Sequence, residues 1–254
     1  FAALAFRFFF VAIGFLLFSI YSKQTIIINK KNLIESFFSG VLFHGFYLGG
    51  VFFSISIGMP TGIAALIVTL QPILTNLLSG PILNENVSFK QWLGVLLGFF
   101  GATLVLGLDL GSDIPLLGLV ATIVALISIT ASTIWQKKLS NNLPLSVSNF
   151  YQAVGGCFFH IVVIIFFIEP YIDFTKTFFL AMGHQIFLVS FGAFTILMFL
   201  IKKNSASKTV SIFFLIPATS ALMAWFFLKE SLNIIDVLGF LITTIGVYIA
   251  TRDK

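Results

Sequence analysis

The chain has 254 residues, of which 59% are hydrophobic and only 9% are charged, and its mean hydropathy is +1.10. Soluble globular proteins carry about a quarter charged residues, so this composition excludes that class and indicates an integral membrane protein. The net charge of +5 does not indicate a nucleic-acid partner, because the basic residues are divided among loops rather than gathered into one stripe.

Nine apolar segments follow one another along the chain, joined by short loops. Each has roughly 20 residues and is long enough to cross a bilayer core of about 30 Å. Continuous apolar runs lack the alternation of a barrel strand, and a helix satisfies its own backbone polar groups in lipid. We therefore predict an all-α integral membrane protein with transmembrane helices over residues 1–21, 36–58, 61–83, 91–108, 116–135, 147–168, 178–201, 209–228 and 234–251.

The basic residues predict how these helices are oriented. If the first helix runs inward, one set of loops holds nearly all of them, whereas the opposite loops hold only Lys176 and Lys229. This positive-inside bias predicts a multi-pass protein of the cytoplasmic (inner) membrane with a cytoplasmic C-terminus. The basic side comprises Lys23, Lys30, Lys31, Lys90, Lys137, Lys138, Lys202, Lys203, Lys208, Arg252 and Lys254.

A motif between residues 71 and 101 occurs twice in the chain. A forward shift of 145 positions superimposes it on an identical set without a gap, and both copies end together. We assign the first repeat to residues 1–109 and the second to residues 110–254. The second repeat holds five predicted helices, an odd number, so the two repeats enter the membrane in opposite senses. The first holds four, and we expect a tenth helix before residue 1. The matching pairs are Pro72 and Pro217, Glu85 and Glu230, Leu93 and Leu238, Gly94 and Gly239, and Gly101 and Gly246.

This motif resembles the EamA repeat of the drug/metabolite transporter superfamily, which has a mid-helix proline, a glutamate after that helix, and Leu-Gly with a further glycine in the next helix. Residues 4–8, Leu-Ala-Phe-Arg-Phe, also resemble the start of the family's second helix. The resemblance implies ten helices in two inverted five-helix repeats and export or exchange of small metabolites such as amino acids, nucleotides or their derivatives. Inverted repeats are a recurring plan of secondary transporters, which bind substrate near the midplane.

Two prolines, Pro72 and Pro217, fall near the centres of their segments. A proline removes one backbone hydrogen bond and frees the carbonyl group one turn earlier, at Val68 and Phe213. Each proline is predicted to bend its helix and to present carbonyl groups to a substrate. The alternative is a tolerated kink with no functional role.

Four polar side chains lie deep in the second and third segments: His44, Tyr47, Gln71 and Asn76. Lipid offers them no hydrogen-bond partner, so each needs protein, substrate or water. We predict that they bind substrate. The alternative for all four is hydrogen bonding to a neighbouring helix.

Arg7 is the one full charge clearly inside a segment. An arginine at mid-membrane costs roughly 2.5–3.5 kcal/mol on insertion scales. It is predicted either to hold an anionic group of the substrate or to have a structural or snorkelling role. Gln152 is its equivalent in the second repeat and a weaker candidate, and His160 is predicted to be structural.

The two glutamates of the motif, Glu85 and Glu230, fall on opposite sides of the membrane under this topology and cannot form a catalytic pair. We predict that they orient the helix that follows.

The glycine faces that include Gly94, Gly98 and Gly239 allow close helix packing, either within the monomer or across a homodimer.

The sequence has no GxxxxGK phosphate loop, no His/Cys metal cluster and no nucleophile motif, so we predict no cofactor, no metal and no enzyme activity. We predict a secondary transporter whose partners are a small-molecule substrate and the lipid bilayer. The alternatives are an intramembrane enzyme or lipid-handling protein, and a non-transporting scaffold. No acidic residue lies mid-segment as a proton relay would require, which favours a facilitator or exchanger over a proton antiporter.

Overall fold

The computed structural model describes residues 1–107, 113–139, 143–167, 169–229 and 231–252. Within these ranges the regular structure is helical, and nine helices are long and apolar enough to cross a membrane, which confirms the predicted segments. We number them α1 to α9 in chain order. They are Ala2–Tyr21, Lys30–Ser56, Thr61–Leu83, Phe89–Leu106, Leu116–Leu139, Leu145–Phe167, Lys176–Lys203, Ala206–Phe227 and Ile234–Thr251.

Four of these helices are irregular at mid-length. In α3 the α-helix stops at Val68 and resumes at Gln71, so Pro72 occupies the first turn of the second half, where its missing N–H leaves no bond unmade. In α8 a 3₁₀ turn over Ile212–Phe214 precedes the half that contains Pro217. The regular α-helix is therefore interrupted next to both prolines. Wider π-helical turns occupy Val41–Gly49 in α2, His184–Ala193 in α7 and Ala224–Leu228 at the end of α8.

The chain packs as two compact units, each assembled from two stretches of sequence. The first unit contains Phe1–Gly50 and Ala131–Lys203, and the second contains Val51–Thr130 and Asn204–Lys254. Each unit therefore takes corresponding parts of both predicted repeats. The core of the first unit joins α1 to α6, and its buried apolar members include Leu4, Phe8, Val11, Phe15, Ala153 and Cys157. The core of the second unit joins α4, α8 and α9 through Val95, Ala102, Phe214, Val247 and Ala250.

The 145-residue offset is reproduced in local backbone structure. Helices α4 and α9 have 18 residues each, and their bounds differ by this offset. Ser88 caps α4 by accepting from the Gln91 N–H, and its equivalent Asn233 caps α9 by accepting from the Asp236 N–H. The residues that end the preceding helices, Asn84 and Lys229, both adopt the left-handed conformation, with φ of 55° and 60°. Glu230 lies outside the described residues.

The glycine faces of α4 and α9 pack against each other inside the second unit. A methyl group on Gly94 would lie 2.6 Å from the carbonyl oxygen of Gly246, and one on Gly239 would lie 2.8 Å from that of Gly101. On Gly98 it would lie 2.7 Å from the Phe214 ring. These glycines let two helix backbones touch, as small residues do at membrane helix contacts. Of the two alternatives for the Gly94, Gly98 and Gly239 faces, packing within one chain is therefore the one these contacts support.

Candidate functional site

The seven predicted site residues are divided between the two units. Arg7, His44 and Tyr47 belong to the first unit. The other four, Gln71, Pro72, Asn76 and Pro217, belong to the second. Each group is described by itself below.

Arg7 is buried in the first unit, with only 7% of its surface exposed. Its Nε donates a hydrogen bond to Ser190 Oγ at 3.0 Å, and its guanidinium carbon lies 5.1 Å from the centre of the Phe8 ring. Among the residues that the structure describes, no Asp or Glu side chain is buried, and none pairs with this guanidinium. Burial contradicts the snorkelling alternative, because a snorkelling arginine keeps its charged head exposed. The site therefore contains a cation that no carboxylate of the described residues neutralises.

The wide helical turns of α2 and α7 carry the residues around Arg7. Ser190 lies in the π-helical turn of α7, where its Oγ donates to the Gln185 carbonyl at 3.1 Å while it accepts from Arg7. His44 lies in the π-helical turn of α2. π-Helical turns occur frequently at functional sites because they shift the side chains on one face of a helix. Neither turn was predicted.

Two imidazoles lie beside Arg7. The His44 ring is 4.4 Å and the His160 ring 5.9 Å from the Phe8 ring, centre to centre, and His160 Nε2 lies 3.0 Å from the His44 carbonyl oxygen. This contact joins α2 to α6 and is the structural role predicted for His160. Gly156 makes the approach possible, since a methyl group there would lie 2.5 Å from His44 Cβ. The structure thus brings Arg7, His44 and His160 together around one phenyl ring.

Tyr47 lies one turn beyond His44 on the same π-helical segment. Its ring is half-buried and meets the Phe43 ring edge to face at 5.5 Å. Phe43 and His44 both contact Phe194 of α7, at 5.2 and 4.8 Å. The walls next to the two histidines are therefore largely aromatic.

Asn76 is fully engaged with protein partners in the second unit. Its Nδ2 donates to the Pro72 carbonyl at 2.7 Å, and its Oδ1 accepts from Gln91 Nε2 at 3.0 Å. Gln91 also donates to Ser207 Oγ at 2.9 Å. This arrangement favours the interhelical alternative for Asn76. Gln91 and Ser207 were not predicted, because a glutamine and a serine near helix ends have no distinctive pattern. Gln71, at the start of the resumed helix, is also buried.

Glu85 holds the beginning of α8 rather than the helix that follows it. Its Oε1 accepts from the Ala206 backbone N–H at 2.7 Å, and its Oε2 accepts from the N–H and the hydroxyl of Ser207 at 3.3 and 3.1 Å. A carboxylate at a helix N-terminus satisfies unpaired N–H groups and interacts favourably with the helix dipole. The predicted helix-orienting role is correct in kind but wrong in its target, because α4 is capped by Ser88 instead.

Replacing Glu85 is expected to destabilise the second unit. The substitution Glu85→Ala removes three hydrogen bonds, two of them to backbone N–H groups, and should lower the free energy of unfolding by about 2 kcal/mol. Glu85→Gln, which keeps an acceptor but loses the charge, should lose about 1 kcal/mol. Denaturant titration of the purified protein measures both. Glu169→Ala, at an exposed position, is the control, and an equal effect there would contradict the assignment.

An open groove of about 450 Å³ runs along the half of α8 that follows Pro217, on a face where Met223 and Phe227 are 59% and 67% exposed. Two hydroxyl groups contribute its polar surface, and its remaining lining is apolar. Pro217 itself is buried. The lining residues are Thr219, Ser220, Met223, Ala224 and Phe227.

In the part of the chain that the structure describes, nine apolar helices, two of them interrupted near a proline, and a buried arginine define a polytopic helical membrane protein. The chain belongs to the EamA-like transporter family, whose family model matches residues 1–107 and 116–252. It is therefore a membrane transporter by family, as the repeated motif predicted.

Relatives of this chain carry transporter names. It is 24% identical over 234 residues to the uncharacterized transporter YvbV of Bacillus subtilis, covering 87% of this chain and 72% of that protein. It is 23% identical over 236 residues to an uncharacterized transporter of Archaeoglobus fulgidus, covering 89% and 80%. A shorter match of 93 residues, 30% identical, covers 36% of this chain and 31% of a probable amino-acid metabolite efflux pump of Escherichia coli. One solved crystal structure shares the fold, with a TM-score of 0.79, 16% identity, and coverage of 98% of this chain and 86% of its own.

Proposed function

We propose that this protein is a secondary transporter that exports or exchanges a small organic metabolite across the cytoplasmic membrane by alternating access. The observation that carries the proposal is the buried Arg7 guanidinium, whose partner within the described ranges is a hydroxyl and not a carboxylate. The substrates we propose are amino acids, nucleotide-like compounds or their derivatives, which carry an anionic group. The efflux-pump name of the Escherichia coli relative supports the same class.

The energetics of Arg7 support a role in binding an anion. A charge moved out of water loses favourable hydration, and a hydroxyl and an aromatic face replace only part of it. An anionic group that bound the free face of the guanidinium would form charge-assisted hydrogen bonds, which are roughly twice as strong as neutral ones. The same group would neutralise the buried charge. We therefore assign Arg7 as the residue that binds the anionic group of the substrate, with His44 and Tyr47 beside it.

The broken helices of the second unit support a role for that unit's own residues in transport. The regular α-helix is interrupted at mid-length in α3 and α8, as in transporters with discontinuous helices. We propose that Gln71, Pro72 and Pro217 bind substrate within this unit, next to the groove that follows Pro217. Asn76 contributes indirectly in this proposal, because its side-chain amide donates a hydrogen bond to the Pro72 carbonyl oxygen.

The charged side chains support a cytoplasmic C-terminus. Lysine pairs lie in the last turns of α5 and α7, and Lys137 Nζ donates to the Ile201 carbonyl at 2.9 Å. Lysines at these two helix ends, together with those in the other loops of the same predicted side, form the excess expected next to the cytoplasm. We propose this orientation, with equivalent segments of the two repeats inverted in the membrane.

The absence of a buried acid in the described residues supports facilitated transport or exchange. In proteoliposomes that contain the purified protein, flux is expected to follow the concentration gradient of substrate and to change little when a pH gradient is imposed. Flux driven by the pH gradient and lost in His44→Ala would contradict this coupling. Absence of any protein-dependent flux, with every substrate class tested, would favour the scaffold alternative.

A further inference from the structure

The imidazoles of His44 and His160 are buried polar groups that the protein leaves partly unpaired. Their side chains are 5% and 0% exposed, so both are well beyond nine-tenths buried. The Nδ1 atom of each ring has no hydrogen-bond partner in the part of the chain that the structure describes. A buried polar atom without a partner is unfavourable, and native proteins rarely retain one without a reason.

The contact between the two residues determines which nitrogen of His160 carries the proton. Its Nε2 lies 3.0 Å from the His44 carbonyl oxygen. A carbonyl oxygen only accepts, so Nε2 must donate, and in the neutral ring Nδ1 is then an unprotonated acceptor. What His160 Nδ1 lacks is therefore a donor, either N–H or O–H.

The position of this acceptor relates it to the cation. The Phe8 ring contacts the Arg7 guanidinium, the His44 ring and the His160 ring, so all three polar groups lie around a single side chain. The guanidinium carbon lies 5.1 Å and the His160 ring centre 5.9 Å from the Phe8 centroid, so a molecule that binds both has no more than the sum of these distances to bridge. Aromatic rings of Phe1, Phe43 and Phe194 supply the adjoining walls.

We propose that His160 Nδ1 accepts a hydrogen bond from a donor group of the substrate that neighbours its anionic group. The site then selects molecules that carry an ammonium or hydroxyl group next to a carboxylate, and it rejects simple carboxylates of the same size. This inference rests on the proposed function, since it extends the site that Arg7 defines. It makes His160 a specificity-determining residue in addition to a link between α2 and α6.

The physical reason for the selectivity is the penalty of an unmet acceptor. A carboxylate without a donor would fill the site and remove water from the imidazoles, yet it would leave Nδ1 unpaired. Sites built to hydrogen-bond a polar group discriminate strongly against analogues that lack it. We expect at least about tenfold weaker binding of the donor-free analogue.

Binding of matched compounds to the purified protein tests the proposal. We use three sets of three compounds, and the sets differ from one another in side-chain size. Within a set, the carbon next to the carboxylate carries an ammonium group, a hydroxyl group or hydrogen only. The sets are L-alanine, L-lactate and propionate; L-leucine, L-2-hydroxy-4-methylpentanoate and 4-methylpentanoate; and L-phenylalanine, L-phenyllactate and 3-phenylpropionate, and each set is called a triplet. Titration calorimetry or ligand-dependent thermal stabilisation measures the affinities. In at least one triplet the two donor-bearing members are expected to bind about tenfold or more tightly than the third.

Two substitutions of His160 separate recognition from folding. Glutamine has an amide nitrogen where the imidazole has Nε2, so His160→Gln keeps the bond to the His44 carbonyl while losing the Nδ1 acceptor. Asparagine has polar atoms where the imidazole has Nδ1, so His160→Asn keeps an acceptor while losing the bond. We expect His160→Gln to fold normally and to bind the donor-bearing and donor-free members of a triplet with about equal affinity. We expect His160→Asn to be less stable but still to bind the donor-bearing members more tightly.

Three results would overturn the proposal: donor-free compounds binding as tightly as their partners, no binding of any of the nine, or unchanged selectivity in His160→Gln. Each of these can occur while transport of another substrate in proteoliposomes remains intact. Failure of the inference is therefore distinguishable from failure of the proposed function. Arg7→Gln provides the second comparison, because it should weaken all members of a triplet by a similar factor.

Discussion

Replacing Arg7 with methionine is expected to abolish transport while leaving the protein at least as stable as the parent. Methionine fills a similar volume without charge, so it removes the desolvation cost of the guanidinium, and the hydrogen bond lost among the described residues is the one to Ser190. The substrate loses its one cationic partner, which costs about 2 kcal/mol or more and lowers kcat/KM at least about thirtyfold. Initial rates of exchange and thermal unfolding of the same preparation measure the two effects.

Arg252 provides the control for this substitution because it is exposed near the end of α9, with its guanidinium 5.5 Å from the Tyr248 ring. Arg252→Met is expected to leave transport unchanged. A structural role for Arg7 gives the opposite pattern, in which Arg7→Met unfolds more easily and the folded fraction transports normally. That pattern would remove Arg7 from the site.

Replacing Gly94 or Gly246 with alanine is expected to give the largest loss of stability in the second unit. The added methyl group would lie 2.6 Å from the Gly246 carbonyl oxygen in the first case and 2.8 Å from the Gly94 carbonyl oxygen in the second. Both obstacles are backbone atoms, so α4 and α9 must move apart along their whole contact. Overpacking of this kind costs about 1–3 kcal/mol, and the measured free energy of unfolding should fall by the upper part of that range.

Gly62→Ala is the matched control, because it is the same chemical change in a helix of the same unit. Its methyl group would lie 3.6 Å from the nearest atom, the Leu106 carbonyl oxygen, which is an ordinary contact. The free energy of unfolding of Gly62→Ala should be higher than that of the parent by less than about 1 kcal/mol. If the glycine faces instead joined two copies, the effect of Gly94→Ala would depend on protein concentration, contrary to this packing.

The positions of the helices could be predicted from the sequence because lipid imposes a minimum length of apolar chain. All nine predicted segments correspond to helices among the described residues, with ends that differ by a few positions. The breaks at Pro72 and Pro217 could also be predicted, since proline cannot donate its backbone N–H. The π-helical turns of α2 and α7 could not, because their sequences share no evident pattern and an i→i+5 turn depends on what packs against it.

The candidate site could be predicted only in part. A charge inside an apolar segment is conspicuous, so Arg7 was identifiable, but Ser190 lies 183 residues away and a serine in a membrane helix has no distinctive signal. Glu85 was identifiable from its repeated motif, whereas its partner at Ala206 depends on the packing of distant segments. His160 had no motif at all, and its importance follows only from the unpaired Nδ1 in its surroundings.

Counterflow in proteoliposomes tests the central claim most directly. Vesicles containing the purified protein are loaded with an unlabelled compound, the tightest-binding member of the nine, and uptake of the same compound carrying a ¹⁴C label is followed with equal pH on both sides. A transporter that works by alternating access is expected to take up label transiently above its equilibrium level and faster than from empty vesicles. Uptake no faster than in protein-free liposomes, whatever the internal load, would contradict the account.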